Sequence, residues 1–348
     1  MEVTIICPTF NRGAAISKTI QSVQNQIIED WSMIVVSDAS TDATDLTVQQ
    51  IAMADRRIRL IRSEHNFGGP SRPTNTAIKQ LDTEWVAYID HDDLWHPQHL
   101  QTLSLAAETG ADVVSTQATH VDAQDNVLIA AEPLNCFWHP WLQLIAPIFH
   151  NSTVAHKTDL FEVAGGWDES GSGLEDWDLW LRFADSGAKF QAVATDTVTV
   201  VRSGSTLSST LPMSSFYPAV RFGSGLDARR YIREFRRPEN TRRLNIAAYH
   251  DTYELLRKLD RSSELIHPLR WDTGLETAIQ ASMRKTAALD LAQAVALEMR
   301  LHSDQFVVGW PMITMSPEHT ERIVSLGPEL FARTHQILDE LRTKMSLS

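Results

Sequence analysis

Short apolar runs and longer amphipathic stretches alternate through the first hundred residues. Val3–Cys7 is an apolar run that predicts a strand. Ala14–Gln26 follows with Ile16, Ile20 and Val23 on one helical face. Trp31–Ser37 predicts a second strand. Asp42–Ala54 predicts a helix that Ser40 or Thr41 would cap. Arg57–Arg62 predicts a third strand, Pro70–Gln80 a helix, and Glu84–Ile89 a fourth strand. This βαβαβαβ rhythm predicts an α/β fold, a mostly parallel sheet with helices on both faces. Such sheets bind ligands beyond the carboxyl ends of their strands. The loops Thr9–Arg12, Asp38–Thr41 and Asp90–Asp93 therefore lie on the functional edge.

Helix Pro97–Thr109 and strand Asp112–Ser115 continue the sheet, and then the alternation breaks. Ala123-Gln124-Asp125-Asn126 reads as a hairpin turn, and an aromatic stretch, Phe137–Trp141, comes after it. A helix over Leu174–Ser186 and a strand over Phe190–Val201 close the first domain. Ser203–Pro218, rich in Ser, Gly and Pro, reads as a linker or mobile loop. Helical patterns then cover 226–237, 239–260, 273–301 and 317–344. The expected division is residues 1–205 as an α/β domain and 206–348 as an all-helical region for ligand selection or oligomerisation.

A chain of 348 residues with 43% hydrophobic content has enough material for one large domain and a smaller one. No run of eighteen apolar residues predicts a membrane span, and the N-terminus enters a strand with no secretory signal. Cys7 and Cys136 have no metal-ligand spacing, which suits buried thiols in a reducing cytoplasm. The expected location is cytoplasmic, with peripheral attachment at the inner membrane face left open. Residues 1–203 hold 12 basic against 27 acidic side chains, a net of −15. Residues 204–348 hold 19 against 17, a net of +2, with arginines concentrated between Arg229 and Arg243. The acidic part excludes nonspecific nucleic-acid binding. The arginines read as a solvated face or a partner of the acidic part, or as a border of the active site that holds an anion.

Asp90-His91-Asp92-Asp93 ends the apolar run Trp85–Ile89. Clustered carboxylates repel, so they need a cation or a shared proton. Oxygen ligands of this kind suit Mg²⁺ or Mn²⁺, which bring phosphate-bearing substrates. The bland alternative is an acidic turn that caps the next helix.

Pro8-Thr9-Phe10-Asn11-Arg12, Val35-Val36-Ser37-Asp38-Ala39-Ser40-Thr41-Asp42, Asn66-Phe67-Gly68-Gly69, Asp90-His91-Asp92-Asp93 and Glu175-Asp176-Trp177-Asp178 occur in that order. Together they resemble the signature of the family 2 glycosyltransferases, which have the GT-A fold. The resemblance covers about residues 1–205. It implies inverting transfer from a nucleotide sugar, UDP-sugar favoured, assisted by Mn²⁺ or Mg²⁺. The acceptor stays open among saccharide, lipid-linked saccharide, peptide and small molecule, as does homo-oligomer formation.

By this resemblance Asp92 is the direct metal ligand, and Asp90 contacts the ribose or reaches the metal through water. Asp93 caps the following turn. Asp38 accepts the N3–H of a uracil-type base. Pro8, Thr9, Asn11 and Arg12 line the other side of the nucleotide, although a plain solvated role for Arg12 is an equal alternative. Gly69, Arg72 and Asn75 belong to the same nucleotide set, with Arg72 reaching a phosphate. His91 is counted with that set but is expected to face away as a surface residue. Asp176 is the general base that takes the acceptor's proton, with Glu175 beside it. The helix dipole alone also favours acids at this place. His150, Asn151 and Ser152 fall near the acceptor side, His150 more as a structural group than a substrate contact. Phe137–Trp141 and Trp167–Trp180 offer faces for sugar stacking, though most of the ten Trp belong to the core.

The chain departs from the resemblance in three places. Thr74 stands where many members carry Arg before Asn75. No His follows the last strand, where Val201-Arg202-Ser203 stands. His91 occupies the acidic motif where small residues are common. Two classes compete with the transferase. A noncatalytic nucleotide-sugar-binding protein on the same scaffold stays open. A metal-dependent phosphatase or nucleotidyltransferase is weaker, because the acidic motif follows the fourth strand rather than the first. A nicotinamide oxidoreductase is excluded, since Asn11-Arg12-Gly13 is no Gly-x-Gly-x-x-Gly loop.

Overall fold

The computed structural model describes residues 1–13, 15–131, 136–145, 148–170, 174–202, 215–235, 237–281, 299–301, 305–312 and 317–346. The chain forms two compact units. The first holds Met1–Thr210 with Ile266–Arg270, and the second holds Leu211–Leu265 with Trp271–Ser348.

The first unit begins with β1 (Val3–Thr9), α1 (Ile16–Gln24), β2 (Trp31–Ser37), α2 (Thr44–Ala54), β3 (Ile58–Arg62), α3 (Ser71–Ile78) and β4 (Trp85–Tyr88). It continues with β5 (Leu94–Trp95), α4 (His99–Ala107), β6 (Val113–Asp122), β7 (Val127–Ile129), α5 (Pro140–Ile145), β8 (Val154–Lys157), α6 (Leu160–Ala164), α7 (Glu175–Asp185) and β9 (Phe190–Arg202). The strands form one sheet in the order β3-β2-β1-β4-β8-β6-β9-β5, with β7 paired to β6. β3, β2, β1 and β4 run parallel, as their helical crossovers require. β8 is antiparallel to both β4 and β6, so the whole is a mixed, GT-A-type sheet.

The period-two alternation of the strands sorts side chains to opposite faces. Val3, Ile5 and Cys7 pack with Ile16, Ile20 and Val23 of α1 and Leu100 and Leu103 of α4. Ile6, Val86 and Tyr88 pack on the other face with Leu179, Trp180 and Phe183 of α7. Each such apolar side chain fully withdrawn from water contributes about 1.5–3 kcal/mol. Trp138, Trp167, Trp177 and Trp180 are all buried, so these rings serve the core. Cys7 and Cys136 are free, buried thiols.

Local expectations are corrected in several places. The strand expected at Asp112–Ser115 runs on to Asp122 because it gains β9 as a parallel partner. The turn at 123–126 does form a hairpin, with Asp125 at φ +60° between β6 and β7. Neither Ser40 nor Thr41 caps α2. Ala43 is the N-cap residue, and Asp42 just before it accepts the Thr44 N–H through Oδ1 at 2.9 Å, while the Ser40 hydroxyl turns to Ser37 and the Asn11 backbone.

The second unit has β10 (Ser215–Phe222), α8 (Gly225–Phe235), α9 (Pro238–Arg261), α10 (273–281), β11 (Met299–Leu301), β12 (Gln305–Met312), α11 (Pro317–Leu330) and α12 (Ala332–Ser346). Helices supply most of its described residues. A three-stranded antiparallel sheet, β10-β12-β11, is an addition that helical periodicity did not predict. The end of the expected linker, Ser215–Pro218, belongs to β10, whereas 203–214 lies outside the described residues. Of the helix expected at 273–301, only 273–281 is helical, 299–301 is strand, and 282–298 lies outside the described residues. The helix expected at 317–344 divides at Phe331, just after Gly327-Pro328, and Asp251 caps its second part through Arg333 N and Thr334 N. Ala228, Tyr231 and Phe235 of α8 pack on Leu244, Leu338 and Leu341. The opposite face of α8 exposes Arg229, Arg230 and Arg233. Arg237 pairs with Glu234 at 2.7 Å and Arg243 with Glu340 at 2.6 Å. No described helix is long and apolar enough to cross a membrane.

Candidate active site

The loops after β1, β2 and β4 meet at one edge of the sheet because their strands are parallel neighbours. Asn11 takes φ +49°, a backbone region that its short polar side chain tolerates. Its Oδ1 accepts the Thr41 N–H at 2.8 Å, and its own N–H donates to Ser40 Oγ at 3.1 Å. Arg12 N and Gly13 N both donate to Thr44 Oγ1, at 2.8 and 2.7 Å. These bonds zip the first loop to the second and fix where the Arg12 side chain begins. Thr9 ends β1 buried, and its hydroxyl has no hydrogen-bond partner.

Asp38 is buried at the end of β2. Its carboxylate accepts the N–H groups of Phe67, at 3.0 and 3.1 Å, and Gly68, at 3.3 Å. Asn66 Nδ2 donates to the Asp38 carbonyl at 3.2 Å. The Asn66–Gly69 motif is thus a clamp on Asp38. Arg72 and Asn75 follow on α3. Arg72 pairs with Glu169 at 3.1 Å and lies over the Phe67 ring. Asn75 bonds the backbone N–H and carbonyl of Trp167 and the Glu169 carboxylate. A Cβ on Gly166 would come within 2.5 Å of Asn75 Oδ1, so this close approach requires glycine. Gly69 lies in open space before α3.

The acidic turn resolves its repulsion residue by residue. Arg12 Nη2 reaches Asp92 Oδ2 at 3.1 Å, which makes Arg12 a partner rather than a solvated arginine. Asp90 Oδ1 accepts Asn151 Nδ2 at 3.0 Å, and its backbone N–H donates to Ser152 Oγ, also at 3.0 Å. Asp93 is buried and does not cap the following turn. It accepts Ser152 Oγ at 2.6 Å and Val201 N at 3.2 Å, tying the turn to the end of β9. Burial, and then the charge of Asp90, push its carboxyl well above the usual range. Against expectation His91 is largely buried. Its ring bonds the Pro8 carbonyl, its Nε2 lies 3.9 Å from Asp92 Oδ2, and burial lowers its basicity. Burial and the three aspartates raise the Cys7 thiol, which is inert in this place.

Side chains of Asp90, Asp93 and His150 place ligand atoms within 4.8 Å of one another. Two carboxylates and an imidazole suit Mg²⁺ or Mn²⁺, and the neighbouring Asn151 Oδ1 is buried without a partner. The residues therefore fit a hard divalent cation. The geometry adds Asp93 and His150 to Asp90, whereas Asp92 faces Arg12. His150 comes from before the short 3₁₀ turn Asn151–Thr153, not from the segment after β9. Behind it His120 lies edge-on to His150 and accepts Arg202 Nε at 2.9 Å. Burial, and then Arg202, hold His120 down at about 4. Sequence reasoning had no signal for His120 or Arg202, because only the β6–β9 pairing joins them.

Glu175 and Asp176 open α7, whose orientation is set by Trp180 and Phe183 in the core and by Arg182. Arg182 bonds Asp178 at 2.8 Å and the Gly166 carbonyl at 2.8 Å. Glu175 is buried, and Asp176 keeps partial access. Burial among surrounding protein raises Asp176 to about 7, with Asp90 and Glu175 adding to the rise. The helix start has thus a carboxyl poised to exchange a proton near neutrality.

The sequence profile of Glycosyl transferase family 2 matches residues 4–150. Over 109 residues the chain is 35% identical to GalNAc(5)-diNAcBac-PP-undecaprenol beta-1,3-glucosyltransferase of Campylobacter jejuni, covering 31% of this chain and 35% of that protein. Over 116 residues it is 34% identical to poly(ribitol-phosphate) beta-N-acetylglucosaminyltransferase TarP of Staphylococcus aureus, covering 32% and 35%. The chain thus spans about a third of the length of these relatives. The crystal structure of S. aureus TarS 1-349 in complex with UDP-GlcNAc shares its fold at a TM-score of 0.53, 19% identity and coverage of 99% and 91%. The N-terminal part of this chain is thus similar to glycosyl transferase family 2 domains.

Proposed function

We propose that the chain transfers a sugar, with inversion, from a nucleoside-diphosphate sugar to a hydroxyl-bearing acceptor, with Asp176 as the general base. The Asp176 carboxyl carries this reading. It lies at the start of α7, near enough to Asp90 to feel its charge, and titrates at about 7. A base of that strength takes a proton from an attacking hydroxyl at neutral pH and loses little driving force in doing so. Attack opposite the leaving diphosphate inverts the anomeric carbon.

UDP is the favoured nucleotide, since the Asp38 carboxylate lies beside the Asn66–Gly69 loop and accepts N–H donors there. The loop Pro8–Arg12 lies across from it. Asp90, Asp93 and His150, with Asp92 at their side, would hold Mn²⁺ or Mg²⁺. Such a cation, when bound, neutralises the charge that grows on the departing diphosphate. The second domain, taken as 206–348, would contribute to acceptor choice. The relatives named above act on an undecaprenol-diphosphate glycan and on poly(ribitol-phosphate). A phosphate-bearing glycan is accordingly the proposed acceptor class, and a peripheral position at a membrane would follow for the lipid-linked case.

The test is a screen of UDP-, dTDP- and GDP-sugars for binding and turnover with and without Mn²⁺. UDP-sugar turnover that Asp176→Asn abolishes, with donor binding retained, supports the proposal. Normal turnover by Asp176→Asn would move the base role to another residue, Glu175 first. The alternative is a noncatalytic nucleotide-sugar-binding protein, kept open because no His follows the last strand, where Val201-Arg202-Ser203 stands. Binding without hydrolysis or transfer for every sugar would select that reading.

A further inference from the structure

Arg12 and Asp92 form an ion pair at the sheet edge, and both side chains keep about a third of their surface exposed, at 36% and 29%. The backbone on the Arg12 side is fixed by the bonds of residues 11–13 to Ser40 and Thr44. The guanidinium is therefore held at this edge and is not a freely swinging surface arginine. It is also half used. Nη2 donates to Asp92 Oδ2, whereas Nε is buried and has no acceptor. A guanidinium is a planar fork that matches carboxylate or phosphate through paired donors. The exposed end of the guanidinium, engaged with a single carboxylate oxygen, leaves room for a second oxyanion. Asp92 Oδ2, in turn, has a cation already at 3.1 Å, which any metal ion at that oxygen would have to displace or tolerate.

We propose that Arg12 is a positioning residue that passes from Asp92 to the donor's diphosphate, so that nucleotide binding frees the Asp92 carboxylate for a divalent cation. The inference rests on the nucleotide-sugar reading of the site. In the ligand-free protein the Arg12–Asp92 pair keeps the acidic turn compensated. A diphosphate offers the fork a stronger, bidentate partner. Cation and nucleotide then bind with positive coupling, and by linkage the coupling has the same size in either order.

The experiment measures Mn²⁺ binding to the full chain by the electron paramagnetic resonance of free Mn²⁺, with MnCl₂ alone, with UDP and with uridine. Wild type takes up MnCl₂ weakly by itself. UDP tightens uptake on the order of tenfold, within the usual range of site–site coupling, and uridine, which lacks phosphate, does not. Arg12→Gln binds MnCl₂ alone on the order of tenfold more tightly than wild type, and UDP adds little further. Arg12→Lys, which keeps charge and loses the fork, stays closer to wild type. Asp92→Asn in the Arg12→Gln background cancels the gain, which separates loss of the pair from a general loss of positive charge. Arg12→Gln with wild-type Mn²⁺ affinity and wild-type coupling overturns the proposal. So does equal tightening by UDP and uridine. Failure of UDP itself to bind overturns the donor reading instead, and a far-ultraviolet circular dichroism spectrum equal to wild type confirms that each variant is folded.

Discussion

The acidic turn after β4 and the acidic start of α7 are built from the same kind of side chain, yet the protein makes different chemical groups of them. In the turn each carboxylate has its own partner. Asp92 has a cation, Asp90 has an amide and a backbone contact to Ser152, and Asp93 has a hydroxyl and a backbone N–H. At α7 the Asp176 carboxyl accepts the N–H of its neighbour Trp177 at 2.7 Å, and among the described residues no ion pair reaches it. Burial wins there, and the proton affinity rises to about 7. Partners hold Asp90 and Asp92, whereas burial raises the proton affinity of Asp176 and, despite its two donors, of Asp93. Sequence neighbours alone do not separate the two, because both are acids next to apolar runs.

The largest effect expected to break this contrast comes from Asp176→Asn, which keeps shape and removes the proton acceptor. Transfer falls by about 10²–10⁴-fold while the donor dissociation constant stays within a factor of a few, as single-turnover kinetics and calorimetry would record. Asp93→Ala is next. It leaves Ser152 Oγ and Val201 N without their acceptor, so denaturant unfolding should show a loss of about 1–3 kcal/mol for each buried group. The sequence predicts a turn cap for this side chain, and its burial makes it a structural link instead. Asp38→Ala removes the acceptor for Phe67 and Gly68 and weakens UDP binding by about 1.5–3 kcal/mol, read by titration.

A pH dependence sharpens the contrast further. The Asp176 carboxyl keeps its proton in the folded chain up to about 7, whereas the unfolded chain loses it in the ordinary carboxylate range. Between those values the folded state binds more protons, so this group's contribution to stability falls as pH rises and levels off above about 7. Asp176→Asn should flatten that part of the stability–pH curve. Activity runs the other way. The kcat/KM of the wild type should rise through about pH 7 as the base becomes free. A rate that is flat from pH 5 to 8 would take Asp176 out of the base role.

What the sequence by itself determined is what local pattern encodes. The strands β1 to β4, their helices and the carboxyl-end loops follow from period-two and helical spacing, and Asp38, the acidic turn and Glu175-Asp176 all stand out as acids beside those elements. Tertiary structure alone decided the pairings. Thr44, thirty-two residues beyond Arg12, receives the Arg12 N–H. Asp93 finds Val201 through the end of β9, and Asn75 finds Trp167 across ninety-two residues. The same holds for β10, β11 and β12, short strands that exist only as one another's partners. A residue's identity fixes what bonds it is able to make, but burial and the choice of partner depend on chain segments far apart in sequence. That is why Asp92, Asp93 and Asp176 look alike in the sequence, and only the fold made one a paired ion, one a buried link and one a group with a pKa near neutrality.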